Sequence, residues 1–187
     1  MVVTGSAEAS ENSDKQDYTV QTTRAGTKML LAPRDVPQSV SVITEERMRD
    51  QNLQSVGDVL TNTTGVSTTY YDSERPTFYS RGFTIDNFSF DDSPTSLNDG
   101  WGFGDDSSDT AIYERIEVVR GATGLMRGAG SPSASVNMVR KMPTRTFQAS
   151  TSLTAGSWDK WRAEFDISGP LNEAGSLRGR FVAAAEN

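Results

Sequence analysis

The chain has 187 residues, neither cysteine nor histidine, a formal net charge of −7 and a pI near 4.6. That length holds one ordinary domain, or one domain and part of a second. The missing cysteines exclude a disulfide framework and thiolate metal sites. The missing histidines remove the commonest transition-metal ligand and general base. An acidic chain whose longest basic run is Arg140-Lys141 excludes a nucleic-acid partner, which wants a basic stripe. No apolar run approaches the roughly 18–20 residues of a spanning helix. Met1-Val2-Val3 leads straight into polar sequence without a secretory signal, so a secreted protein of this kind is expected to be mature, engineered or a fragment.

Residues 1–17 are polar and rich in small side chains, and read as a flexible lead. A short strand is expected from Tyr18 to Val20 and another, alternating in polarity, over Ser39–Ile43. Thr44 fits a helix N-cap, with Glu45 and Glu46 at the positive end of the dipole and Met48 and Leu53 facing inward. A second helix starts at Ser55, where Ser55-x-x-Asp58 resembles a capping box and Val56, Val59 and Leu60 form a narrow apolar stripe. Strands are expected over Phe78–Phe83 and Asn87–Asp92, with loop from Thr95 to Ser108 and a single helical turn capped at Ser108-Asp109. Strands at Ile116–Val119 and Ser135–Val139 flank a glycine-rich connector. After Pro143 the texture changes. Three alternating segments, Phe147–Ala155, Trp161–Ile167 and Leu177–Ala185, carry the weak repeated signature of membrane-barrel strands. Three strands do not close a barrel, so either the barrel is truncated or these strands form a small soluble sheet.

Three stretches, in order, resemble one family. Asp35-Val-Pro-Gln-Ser-Val-Ser-Val-Ile-Thr44 is similar to the opening strand of the plug of TonB-dependent outer-membrane siderophore receptors, and Tyr79-Ser-Arg-Gly-Phe83 to its R-G-F strand. The most specific match runs from Tyr113-Glu-Arg-Ile-Glu-Val-Val-Arg-Gly121 to Ser135-Val-Asn-Met-Val-Arg-Lys141. The wording is most similar to ferric-coprogen, other hydroxamate and ferric-pyoverdine receptors. The resemblance implies an α+β fold: residues 1–17 as a flexible segment with a partial TonB box, 18–143 as a plug with a mixed four-stranded sheet and short helices, and 144–187 as about three antiparallel strands of a transmembrane β-barrel. It also implies a chain that binds ferric siderophore in the bacterial outer membrane and gates its import, the N-terminus lying in the periplasm. The expected partners are TonB with ExbB–ExbD, the chain's own barrel and a hydroxamate-containing ferric siderophore. Iron would enter only as siderophore cargo, with no resident cofactor or metal site.

A saturated ferric siderophore needs aromatic surface and a few donors around its organic shell. Tyr70, Tyr71, Trp101 and Phe103 offer the faces, and Arg75 and Arg127 the donors. Acidic Asp99, Asp105, Asp106 and Asp109 favour a neutral or cationic complex over a triply anionic catecholate. Duller readings stand beside these: Trp101 as a loop anchor, Tyr70 and Tyr71 as strand residues, Arg75 paired with Asp72 or Glu74. Arg81 and Arg120 match family arginines that pair with carboxylates on the inner barrel wall, with Glu117, Glu114 and Arg115 joining the network. The alternative is an Arg81–Glu117 pair within the plug. Val2, Val3 and Thr4 match the tail of the TonB box. Without His or Cys, a G-x-S-x-G elbow or a P-loop lysine, an enzyme is not expected. The remaining alternative is a free-standing soluble binding module without transport.

Overall fold

A computed structural model of the protein describes residues 18–27, 29–70, 76–95, 108–121 and 131–187. Strand β1 (Ser39–Thr44) runs directly into helix α1 (Glu45–Asp50). Thr44 keeps extended backbone and its hydroxyl accepts the Arg47 N–H at 3.3 Å, so one residue ends the strand and caps the helix. Helix α2 (Val56–Thr61) opens with the expected capping box: Ser55 Oγ accepts from the Asp58 N–H at 3.0 Å, and the Asp58 carboxylate accepts from the Ser55 N–H at 3.0 Å. Both helices are short, so their stability comes from burying Met48, Val56, Val59 and Leu60 rather than from propensity.

Strands β2 (Ser67–Tyr70), β3 (Pro76–Ser80) and β4 (Phe83–Thr84) make a small antiparallel sheet. The continuous strand expected over Phe78–Phe83 is instead a hairpin. Arg81 and Gly82 both take positive φ, 55° and 84°, which is the two-residue turn matching the twist of antiparallel strands. Strands β5 (Asn87–Phe90) and β6 (Ser93–Thr95) are joined in the same way by Asp91 and Asp92, at φ 46° and 65°. A 3₁₀ turn at Thr110–Ile112, capped by Asp109, leads into β7 (Tyr113–Arg120), and β8 (Ala134–Arg140) returns beside it. No strand forms at Tyr18–Val20. The N-terminal segment closes on itself through a single bridge between Thr23 and Leu31 and meets the sheet where the Thr23 hydroxyl donates to Glu117, with Val20 buried.

The main sheet has the order β1-β7-β8-β5-β6 and is mixed: β5 and β8 run parallel, the other pairs antiparallel. The fifth member is the three-residue β6, extending the four strands that were expected. Its two faces differ in chemistry. Ile43, Ile116, Val118, Val136, Met138 and Phe88 enter one core with the helices, Phe78 and Ile85, while Phe90 stacks on Tyr113. The opposite face carries the row Val42–Glu117–Asn137–Ser89, on which the N-terminal segment lies.

Beyond Pro143 follow β9 (Gln148–Ala155), β10 (Trp161–Pro170) and β11 (Arg178–Glu186), an antiparallel sheet in the order β11-β10-β9. The register puts Arg162, Glu164, Asp166 and Ser168 on one side with Arg180 and Glu186, facing the plug. The other side presents Leu153, Trp161, Phe165 and Phe181 outward, all exposed. Polar inward and apolar outward at a period of two is the pattern of a membrane-barrel wall. No helix among the described residues is long and apolar enough to cross a membrane, which says nothing of strands.

Candidate functional site

Two sets of contacts define how this chain engages its surroundings. The first ties the plug to the strands beyond it. Arg162, 4% exposed on its side chain, donates to Asp109 at 2.7 Å, Glu164 at 2.6 Å and Glu186 at 2.8 Å. Asp109 is itself fixed as the cap of the 3₁₀ turn, accepting the Ala111 N–H at 2.7 Å. Burial pushes the Asp109 carboxyl up, but the Arg162 and Ala111 donors and the charges of Arg162 and Lys141 outweigh it. The group is held below its usual range. One turn of the wall further, Lys141 Nζ lies 2.9 Å from Glu45 and 3.2 Å from Asp166, and Arg180 Nε donates to Asp166 at 2.8 Å. Thr144 closes the series, its N–H donating to Ser168 Oγ at 2.8 Å. Beside these contacts an open cleft of about 560 Å³ separates α1 from β9, lined by Glu45, Glu46, Arg49, Ser150 and Arg180.

The second set is Arg81 and Arg120. Arg120 donates to Ser39 Oγ at 2.7 Å and to Ser41 Oγ at 2.8 Å, stitching the edge strand β1 to β7. Each guanidinium lies over a glycine: a Cβ on Gly121 would stand 2.6 Å from Arg81 Nη1, and one on Gly65 3.0 Å from Arg120 Cδ. The two cations are near enough that, after burial, the Arg81 charge lowers the Arg120 pKa from its ordinary value. Among the described residues no carboxylate lies within ion-pair reach of either. Glu117, expected either beside them or paired with Arg81, is in neither arrangement. It is 2% exposed and held by Arg115 Nε at 2.9 Å, Asn137 Nδ2 at 3.0 Å and Thr23 Oγ1 at 3.3 Å. Glu114 and Arg115 pair with each other at 3.3 Å in the same place.

Of the expected siderophore contacts, Tyr70 ends β2 opposite Pro76 and is 58% exposed. Tyr71, Arg75, Trp101, Phe103 and Arg127 lie outside the described residues, as do Asp99, Asp105, Asp106 and the segment with Val2, Val3 and Thr4. Of the acidic group, Asp109 is described, and it serves the wall contact. Sequence reasoning missed Glu45, Lys141, Arg162, Asp166 and Arg180. The signal available was the polar half of the β10 alternation, Arg-x-Glu-x-Asp-x-Ser from Arg162 to Ser168.

Comparison with known proteins agrees with this geometry. Residues 32–135 match the model of the TonB-dependent Receptor Plug Domain. The ferripyoverdine receptor of Pseudomonas aeruginosa is 46% identical over 93% of this chain and 22% of its own length. The ferric-pyoverdine 358 receptor of Pseudomonas putida is 47% identical over 91% of this chain and 21% of its length. The chain thus spans about a fifth of the length of the curated relatives it matches. Among solved structures, the P. aeruginosa ferripyoverdine receptor bound to ferripyoverdine superposes with a TM-score of 0.87 at 45% identity, covering 93% of this chain and 23% of that one. The alcaligin outer-membrane receptor FauA of Bordetella pertussis gives 0.85 at 46% identity, covering 95% and 31%. The chain belongs to the family of TonB-dependent receptor plug domains, followed by strands that match the start of a receptor barrel.

Proposed function

We propose that this chain is the gate and ligand floor of an outer-membrane receptor that takes up a ferric siderophore of the pyoverdine class under the drive of TonB. The observation that carries the reading is the wall formed by β9–β11, which joins the plug through Arg162, Lys141 and Ser168 and turns Leu153, Trp161, Phe165 and Phe181 outward. A soluble module would leave that apolar face against water, whereas a barrel wall presents it to lipid. The similarity to two ferric-pyoverdine receptors supports pyoverdine over a hydroxamate in general. Iron arrives as siderophore cargo, the chain supplies no resident cofactor or catalytic step, and TonB with ExbB–ExbD engages the N-terminal segment at Val2–Thr4.

In this reading Tyr70, Tyr71, Trp101 and Phe103 face the siderophore's organic shell, and Arg75 and Arg127 donate to its oxygens. Arg81 and Arg120 pair with carboxylates of the barrel wall and hold the plug in place until TonB pulls. The test is fluorescence quenching of the full-length receptor with a panel of ferric pyoverdines, ferrioxamine and a ferric catecholate. Saturable quenching by a pyoverdine, weakened at least tenfold in the Trp101, Arg75 and Arg127 triple-alanine variant, is the expected result. Undiminished affinity of the triple variant for every complex would refute the site, and no binding to any of them would refute the receptor.

A further inference from the structure

The plug sheet carries a polar row on the face away from its apolar core, buried at Ser89, Glu117 and Thr23, half-buried at Asn137 and exposed at Asp92. Asn137, on β8, sits at its centre. Its Nδ2 donates to Glu117 Oε2 at 3.0 Å on one side and to Asp92 Oδ1 at 3.0 Å on the other. Its Oδ1 accepts the Ser89 hydroxyl and the Asp92 N–H, both at 3.0 Å. Glu117 passes the connection on. Its Oε1 accepts the Thr23 hydroxyl, which in turn accepts the Ala25 N–H at 3.0 Å. Thr23 is 2% exposed and makes the two-way backbone bridge to Leu31 that closes the N-terminal fold-back. The row therefore starts at the β5–β6 turn, crosses β8 and β7, and ends in the segment that precedes β1.

We infer that Asp92, Asn137, Glu117 and Thr23 form a latch that couples the state of the β5–β6 turn to the docking of the N-terminal segment. With both protons and its oxygen committed, the half-buried Asn137 amide has no spare protein partner, so a shift at Asp92 reorients it and takes a donor from Glu117. Glu117 then keeps Arg115 as its charged donor, and the Thr23 contact, at 3.3 Å the longest of its three, is the one to give way. The carboxylates of Asp92 and Glu117 oppose each other across this amide, and burial together with the Glu117 charge raises the Asp92 pKa. The arrangement is thus poised rather than merely tight. It stands whether or not the chain takes up a siderophore, since both ends of the row lie within the plug.

Amide hydrogen exchange on the whole chain in detergent micelles tests it. Asn137→Leu is expected to speed exchange at the Thr23 and Leu31 amides roughly tenfold, with Ile116 and Val118 in the central strand unchanged. Asn137→Ser gives the same reading if the leucine variant folds poorly. Coupling is reciprocal, so Thr23→Val should loosen the Asp92 amide by the same factor. Because Asn137 acts through Glu117, adding Asn137→Leu to Glu117→Gln should change Thr23 and Leu31 no further. Equal acceleration at every amide, no change at Thr23 and Leu31, or strictly additive effects in the double variant would overturn the latch.

Discussion

Replacing Arg162 by Met removes the cation on which three carboxylates converge while keeping the length of its apolar stem. Its guanidinium is 4% exposed, and Asp109, Glu164 and Glu186 are 35%, 36% and 52% exposed. A hydrogen bond to a charged group contributes about 1.5–3 kcal/mol. The three do not add, because half-exposed carboxylates recover water when the cation goes. The expected loss is about 3 kcal/mol, the low end of about 3–5 kcal/mol for breaking a buried pair. Asp109→Asn leaves Arg162 two carboxylates and should cost only about 1 kcal/mol. Since Asp109 is the plug's share of the cluster, the Arg162–Asp109 coupling measures how firmly plug and wall are joined. A double-mutant cycle by urea unfolding in detergent micelles should return about 1–2 kcal/mol of coupling. Additivity to within about 0.3 kcal/mol would show that the wall contact contributes nothing to stability, and the reasoning would fail.

The same cluster predicts a pH dependence. The folded Asp109 pKa lies below the usual 3.8, so its contribution is fully present above that value and is lost as pH falls through the depressed one. Acid titration of stability should show this loss in the parent chain and not in Arg162→Met. Ser55→Ala removes half of the α2 capping box and should cost about 1 kcal/mol, read as a lower urea midpoint at unchanged slope. Gly121→Ala places a methyl group 2.6 Å from Arg81 Nη1 at a φ of +105°, so it should destabilise by about 1 kcal/mol or more and displace the Arg81 resonance in Nε–Hε spectra.

What was legible in the sequence was local. Thr44, Ser55 and Asp58 act on groups three residues away, and that chemistry can be read from a string of letters. The stripe Val56, Val59 and Leu60 was equally plain, as was the alternation that announced β9–β11. Turns with left-handed backbone at ordinary residues were harder. Arg81-Gly82 and Asp91-Asp92 lack the Asn-Gly or Asp-Gly signature, so both turns fall inside expected strands, Phe78–Phe83 and Asn87–Asp92. The strand expected at Tyr18–Val20 does not form, and the contact that seats the neighbouring Thr23, on Glu117, lies 94 residues along the chain. The wall contacts failed for the same reason. Arg162 meets Asp109 across 53 residues, and nothing local distinguishes a lumen-facing arginine from a solvated one.

The two sets of plug contacts differ in how completely they are satisfied, and that difference bears on the gate. Arg162, Lys141 and Arg180 each have at least two oxygen partners, all supplied by the plug and the strands β10 and β11. Arg81 and Arg120 have the converse arrangement. They lie close enough to repel, with serine hydroxyls the charge-free partners of Arg120. Gly65 and Gly121, both at positive φ, let the two side chains lie close against the backbone. Two like charges held together over bare backbone cost stability in isolation, and such a site is retained where a partner offsets the cost. A planar fork, presented at the end of β7 by Arg120 and on the β3–β4 turn by Arg81, suits carboxylates in bidentate geometry. In the proposed receptor those carboxylates belong to wall strands other than β9–β11, whose described acidic side chains Glu164, Asp166 and Glu186 are already engaged. The plug is then fastened at two places of different character. One is formed with its sequence-adjacent strands. In the proposed receptor the other takes distant ones, and a pull on the N-terminal segment reaches it first through β1, since Ser39 and Ser41 are the residues that Arg120 holds.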